Sequence, residues 1–317
     1  MHLSIIIPLF NESESLPELC SWIHRVVESQ HLNYEIWLID DGSTDDSWHV
    51  IQNLKDQYPH IKALRFRRNY GKSAALQTAF ERVQGKVVIT MDADLQDSPD
   101  EIPALYCKIA QDGFDLVSGW KQNRKDSLFL KNIPSKFYNR ITGWISGIKL
   151  HDMNCGLKAY SNDVVKSIEV YGEMHRFIPV MVKAAGFKKI TEQPVSHQAR
   201  KYGVSKFGWN RFVNGFLDLL TICFMTRFAK RPMHLFGVYG SLMFVAGFAL
   251  TLYLGAFKLY CSWNHIIARK LTDRPSFYIA LTTILLGTIF FLAGFIGELI
   301  QRNSPLRNTY AIAEELK

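Results

Sequence analysis

Apolar, β-branched runs that break off at acids and turn residues recur through the first 120 positions. Ile5 to Ile7 form the first, with Pro8 expected to end its ladder pairing and Asn11 and Glu12 in the turn that follows. A helix is predicted over roughly Glu14 to Glu28. Further strands follow in EIWLID, in Ile61 to Phe66, in Val87 to Ile89 and in Asp115 to Gly119, each separated from the next by a helical pattern. A helix is expected to start near Pro99 and to run through Leu105 and Ile109. Strands alternating with helices at this spacing predict an α/β fold with a mostly parallel sheet covered by helices. The pattern then changes. Leu235 to Phe257 and Phe277 to Gly297 contain no charged residue, and as helices would be roughly 34 and 31 Å long, enough to cross a bilayer. Before them, Phe212, Phe216, Leu219, Leu220 and Cys223 recur at helical spacing opposite Arg211, Asn214 and Asp218. This predicts an amphipathic interfacial helix, with a helix packed on the preceding domain as the alternative. The expected organisation is a nucleotide-binding domain over 1–206, the amphipathic helix over 207–232, a two-helix transmembrane hairpin over 233–300 and a C-terminal tail over 301–317.

Composition sharpens this picture in two places. A mean hydropathy of −0.03 averages a polar first two-thirds with a very apolar end. The five cysteines (Cys20, Cys107, Cys155, Cys223, Cys261) are odd in number and scattered, which predicts free thiols and no structural zinc. His2 to Phe10 reads as a strand rather than a signal peptide. The formal charge of +8 suits phosphorylated substrates or an anionic membrane surface. No stacking or groove-reading element supports a nucleic-acid partner.

The strongest chemical signal is KVVITMDADLQDSPDE, where a buried strand ends in Asp92, Asp94 and Asp97. Ligands in open α/β sheets bind beyond such strand ends, and carboxylates at i and i+2 can share a hard divalent cation with a nucleotide diphosphate. Helix capping accounts for Asp97 or Ser98, yet two further acids on an apolar strand repel each other unless a cation or donors compensate. Asp40 and Asp41 end the second strand, Asp41 being placed to accept hydrogen bonds from a base or ribose; Ser43 and Asp46 resemble a capping box. Gly71-Lys72-Ser73 is not a phosphate loop, because Phe66 stands where that motif needs glycine, but Lys72 at a helix start is a candidate anion site. The stretch after Gly119 is dense in Lys and Arg, including Lys121, Arg124, Lys125, Lys131, Lys136 and Arg140, either a solvated face or a cradle for a second phosphate. Asp152 falls in a loop before a short strand, and Arg200, Ser205 and Lys206 in a glycine-containing loop.

Taken in order, PLFNE, IDDGSTD, RNYGKSAAL, MDADLQDSPDE, DMNCGLKAY, HRFIPVM and RKYGVSKF resemble the polyprenyl-phosphate glycosyltransferases. These are inverting GT-A enzymes of glycosyltransferase family 2, a group that includes dolichyl-phosphate mannose synthases; the two C-terminal spans resemble bacterial members that glucosylate undecaprenyl phosphate. The resemblance implies that Pro8, Glu12 and Asp41 contact the nucleoside, that Asp92, Asp94 and Gln96 bind Mg2+ or Mn2+ and the diphosphate, and that Asp152 lies at the reacting centre. It implies further that Lys121, Arg124, Lys131 and Ser135 hold the lipid phosphate while Arg200 and Lys206 close over the phosphates. Ser98 and Asp100 depart from the family's common Pro and Glu, and Lys121 from its Arg, whose bidentate fork lysine cannot reproduce.

The implied reaction moves one sugar, glucose from UDP-glucose as the first expectation, onto a polyprenyl phosphate, with GDP-mannose, UDP-galactose, UDP-N-acetylhexosamine or a UDP-modified arabinose as alternative donors. A homo-oligomer in the bacterial plasma membrane is also implied. Basic residues flanking the spans barely discriminate topology, but cytosolic nucleotide-sugars place both termini in the cytoplasm. A processive polysaccharide synthase would carry a Q-x-x-R-W motif, which is absent. A non-catalytic nucleotide-binding scaffold would not need both the acidic and the basic clusters.

Overall fold

The computed structural model describes residues 1–122, 143, 147–198, 201, 224, 232–267 and 269–302, and the chain divides into two compact units, Met1–Cys223 and Phe224–Lys317. Among the described residues of the first, seven strands form one sheet: β1 (Leu3–Leu9), β2 (Tyr34–Asp40), β3 (Ile61–Arg65), β4 (Val87–Thr90), β5 (Leu116–Trp120), β6 (Lys158–Ser161) and β7 (Ile190–Pro194). Their order is β3-β2-β1-β4-β6-β5-β7, and β6 alone among them runs antiparallel to its neighbours. The sheet is thus mostly parallel, as the alternating pattern predicts. Strand β5 lies one residue from its expected place and β6 is the short strand expected after the Asp152 loop, whereas β7 carries no alternation strong enough to announce it.

Both faces of the sheet are buried because β1 is apolar on both. Leu3, Ile5, Ile7 and Leu9 pack against α1 (Leu16–Glu28), α2 (Ser47–Gln57) and α4 (Ile102–Ala110). Ile6, with Ile39 and Val88, packs on the other side against α3 (Lys72–Arg82), α5 (Asn162–Ser167) and α6 (Ile178–Ala184), where Phe80, Tyr160 and Phe177 are fully buried. Pro8 does not end the first strand. Register with β2 runs on through Pro8 to Leu9, while pairing with β4 stops at Ile6, so a residue without an N–H is tolerated beyond that point. Ser43 and Asp46 do not form a capping box either. Ser43 Oγ accepts from Asn11 N, and it is Asp45 that accepts from Ser47 N at the start of α2. Ser98 takes the capping role before the turn at Pro99–Glu101, accepting from Asp100 N.

One buried acid ties the lower ends of the strands together. Glu35 Oε1 accepts from Ser4 Oγ at 2.6 Å and Gln84 N at 2.9 Å, and Oε2 accepts from Lys62 Nζ at 2.8 Å. Burial alone would raise the Glu35 pKa, but these donors hold it below its ordinary value of 4.5.

The second unit is a helical hairpin, α7 (Met233–Trp263) and α8 (Pro275–Arg302), and both helices are long and apolar enough to span a bilayer. They extend past the expected spans at each end. Their exteriors are apolar, with Leu242, Val245, Leu252, Ile289 and Ile296 all more than half exposed. The backbones meet closely at Gly240 and Gly287: a Cβ on Gly287 would lie 2.5 Å from Phe244 N, and one on Gly240 would lie 2.7 Å from Gly287 O. Close approach of this kind lets van der Waals contact hold two helices together in a solvent that gives no hydrophobic drive. The cysteines at 20, 107, 155 and 261 are free thiols. Of the amphipathic stretch expected over 207–232, only Phe224 and Pro232 are among the described residues.

Two outcomes follow. Glu35→Ala should destabilise the first unit by about 2–3 kcal/mol, from stranded buried donors. Because the folded pKa is depressed, the charge-dependent part of that contribution is present above the unfolded value and lost as pH falls through the folded one, so the gap between the thermal midpoints of variant and wild type should narrow as pH falls below the ordinary value of 4.5. Gly287→Val should weaken the hairpin by about 1–3 kcal/mol, read as earlier unfolding of the full chain in a denaturing-detergent titration.

Candidate active site

The parallel strands deliver their carboxyl ends to one edge, and the order in which strands are added reverses between β1 and β4, the crevice where α/β sheets bind ligands. Thr90 ends β4, and Asp92 and Asp94 follow it. Because β6 runs antiparallel between β4 and β5, the loop before it returns to that same edge carrying Asp152. Thr90 Oγ1 donates to Gly156 O at 3.0 Å and Ser118 Oγ to Asp152 O at 3.1 Å, stitching this loop to both neighbours. Only glycine fits at 156, since a Cβ there would stand 2.2 Å from Asp92 Oδ2. Asp152 is buried and accepts from Asn154 N at 3.2 Å; Asp94 accepts from Gln96 N at 3.2 Å.

Four acids at one edge call for positive charge, and three lysines bring it. Lys72, the first residue of α3, places its ammonium on Asp92 Oδ1, with both side chains about one-third exposed (32% and 34%). Burial pushes the Asp92 carboxyl up, but Lys72, with Lys121 and Lys158, brings it down to about 2. Lys121 Nζ lies 2.7 Å from Asp97 Oδ1, and Asp97 is completely buried. Burial would lower the Lys121 pKa, yet Asp97 and Asp92 raise it above its ordinary value. Expected to hold a lipid phosphate, Lys121 is here committed to Asp97. Lys158 is buried, donates to Cys155 O, and is lowered by burial and by Lys72.

His175 completes this wall. Its backbone N–H donates to Ser73 Oγ at 3.1 Å, and its Nδ1 lies 3.0 Å from the same oxygen, which is thereby free to donate its proton to the ring. Burial, Lys72 and Arg176 lower the imidazole pKa to about 3, so it is neutral at physiological pH. Neither Lys158 nor His175 was assigned a role from sequence. Both lie within motifs of the resemblance (GLKAY, HRFIPVM), which was the available signal.

Pro8, Glu12 and Asp41 cluster at the ends of β1 and β2. Asp41 is buried and its carboxylate accepts from Tyr70 N at 2.7 Å and Gly71 N at 2.9 Å, fixing the loop that leads into Lys72. Burial raises its pKa against these two donors. Glu12 N donates to Ser47 Oγ, and its carboxylate accepts from Ser15 Oγ. Gln198 N donates to Gln96 O at 2.9 Å, and His197 bridges Asp97, so the chain just before Arg200 lies along the acidic loop. Arg124, Lys131, Ser135, Arg200 and Lys206 fall outside the described residues.

The site suits a hard divalent cation. Asp92 and Asp94 stand at a strand tip where Asp92 and Asp97 already draw ammonium groups toward them, and carboxylate oxygens are the donors such an ion takes. Among the described residues no group of three or more His, Cys, Asp or Glu could hold a metal ion. Asp92 and Asp94 would therefore hold an ion jointly with Gln96 or phosphate oxygens.

A helix-covered sheet with one antiparallel strand bringing an acid beside the β4 carboxylates defines a GT-A-like fold, the architecture of nucleotide-sugar transferases. The chain belongs to glycosyl transferase family 2, whose model matches residues 4–168. It is 35% identical over 304 residues to the dodecaprenyl-phosphate galacturonate synthase of Rhizobium johnstonii, covering 95% of this chain and 88% of that one. In fold it is similar to the glucosyl-3-phosphoglycerate synthase of Mycobacterium tuberculosis solved with Mn2+, UDP and phosphoglyceric acid: TM-score 0.56, 15% identity, 71% of this chain and 78% of that one. It is also similar to the mannosyl-3-phosphoglycerate synthase of Rubrobacter xylanophilus: TM-score 0.57, 14% identity, 71% and 74%.

The Gly156 contact yields a test. Gly156→Ala should displace Asp92 and lower kcat/KM for glycosyl transfer about 100-fold, the scale of a 1 Å misplacement, with circular dichroism unchanged.

Proposed function

We propose that the chain transfers a single sugar from a nucleotide-sugar to the phosphate of a polyprenyl phosphate, with inversion. The observation that carries this reading is the relative from Rhizobium johnstonii, whose likeness covers 95% of the chain and therefore both the sheet domain and the apolar hairpin. A lipid acceptor gives the hairpin a purpose that a soluble acceptor would not. The name of that relative puts galacturonate ahead of glucose as the sugar, and UDP as the carrier agrees with the fold neighbour solved with UDP and Mn2+.

The chemistry is economical. An acceptor phosphate oxygen, already ionised at neutral pH, attacks the anomeric carbon; the new C–O bond forms as the bond to the diphosphate breaks, and the nucleoside diphosphate leaves with the electron pair. No proton has to be removed from the nucleophile. Asp152 accordingly serves to orient groups at the reacting centre, and Asp92 and Asp94 to hold the ion that neutralises the leaving diphosphate. Pro8, Glu12 and Asp41 line the nucleoside end. Arg124, Lys131, Ser135, Arg200 and Lys206 supply positive or hydrogen-bonding groups for the acceptor and donor phosphates. Cytosolic donors place this site and both termini in the cytoplasm.

The test uses the full chain in detergent with polyprenyl phosphate, Mg2+ or Mn2+, and labelled UDP-galacturonate, UDP-glucose and GDP-mannose in parallel. Labelled lipid should form from UDP-galacturonate, vanish with chelator and fall at least about 100-fold in Asp94→Asn. Lipid labelled from UDP-glucose alone would restore the glucose reading, and no labelled lipid from any donor would sink the acceptor assignment.

A further inference from the structure

The three lysines of the acidic edge are not equivalent. Lys121 is 12% exposed and held on a completely buried carboxylate; Lys158 is buried and held by Cys155 O. Lys121 cannot leave without stranding the Asp97 charge in the interior, and Lys158 is itself enclosed. Lys72 is about one-third exposed and rises from the first turn of α3 on a flexible four-carbon stem. It also sits on the carboxylate that a divalent ion would share. Asp92 Oδ2 is backed by the Gly156 backbone and Oδ1 carries the Lys72 ammonium, so a second cation at Asp92 competes with the lysine for the same group.

We infer that Lys72 is the stand-in cation of the free enzyme: it neutralises Asp92 while the site is empty and passes to the donor diphosphate when a divalent ion takes its place. The inference rests on the nucleotide-sugar reading above and adds the order in which charges exchange.

Two features support the exchange. First, the lysine has somewhere to go. Its own backbone opens α3, where helix N–H groups face an incoming anion, and the loop before it is fixed by Asp41 through Tyr70 N and Gly71 N. A small rotation about the side chain therefore moves the ammonium from carboxylate to phosphate while its anchor stays still. Second, electrostatics penalise the intermediate states. With the ion bound but no nucleotide, Lys72, Lys121, Lys158 and the divalent charge together outweigh the four carboxylates of the edge. With the diphosphate bound but no ion, the phosphates add to four carboxylates that three lysines only partly offset. Each ligand relieves the repulsion met by the other, so the two should bind synergistically, and Lys72 is the group that couples them.

The experiment is a Mn2+ titration of the full chain in detergent, followed by electron paramagnetic resonance of free Mn2+, with and without UDP. In the wild type, UDP should tighten Mn2+ binding at least about fivefold. Lys72→Met and Lys72→Gln should each bind Mn2+ alone about three- to fivefold more tightly than wild type, because the competing ammonium is gone, and should lose most of the enhancement by UDP. Lys72→Arg, which keeps the charge, should bind Mn2+ alone as weakly as wild type. If both neutral variants bind Mn2+ alone no more tightly than wild type, or if they fail to fold and Lys72→Arg already matches the expected tight binding, the exchange is overturned while sugar transfer stands. A wild type that takes up Mn2+ neither alone nor with UDP overturns both readings.

Discussion

The constraint on which this molecule turns is the crowding of like charge at the end of β4. Asp92, Asp94 and Asp97 leave a strand whose residues are all buried, and the β6 loop adds Asp152 to the same edge. Such an arrangement is costly unless cations are built in. Three lysines from three separate places in the chain meet that need: the start of α3, the end of β5 and the start of β6. Two of the compensations are permanent because they are buried. The third is accessible to solvent, which makes the edge both stable when empty and open to exchange when filled.

Topology explains how residues so far apart in sequence come to share one edge. A purely parallel sheet would send every loop that precedes a strand to the opposite side. Strand β6 breaks that rule, and by running against β4 and β5 it returns residues 151–157 to the carboxyl ends of its neighbours. The cost is a tight fit, expressed at Gly156, where no side chain can coexist with the Asp92 carboxylate. The same loop is held from both sides by hydroxyls, Thr90 and Ser118, so Asp152 is positioned by the sheet itself rather than by a free loop.

Much of this was legible from the residues. The alternation of apolar runs and helices gave the strands of the parallel core, and uncharged stretches gave the hairpin. The DAD sequence after β4 marked the site. What sequence could not give was partnership. Asp97 read equally as a helix cap, and only its burial against Lys121 separates it from Ser98, which does the capping. Lys72 read as a minor anion site because its contact with Asp92 spans 20 positions and depends on how α3 meets β4. His175 was marked only by lying in the HRFIPVM motif; its place beside Ser73 follows from the packing of residues 102 positions apart. Pro8 misled for a related reason, since whether a proline ends a strand depends on how many neighbours still pair with it at that point.

These contacts also bear on what kind of catalyst the edge can be. A general base needs a carboxylate or imidazole that can take a proton at the working pH. His175 is held neutral by burial beside Lys72, but its Nδ1 is engaged by Ser73, and Asp152 is buried against the loop that it caps. The edge is equipped instead to fix anions: charges sit at set positions, stiffened by buried ion pairs and a sheet on either side. That equipment matches a reaction whose nucleophile arrives already ionised and whose difficulty lies in bringing two negatively charged groups together. Positioning and charge compensation, rather than proton removal, are then what the fold has to provide, and the lysines that keep the empty edge from repelling itself are the same groups that make such an encounter possible.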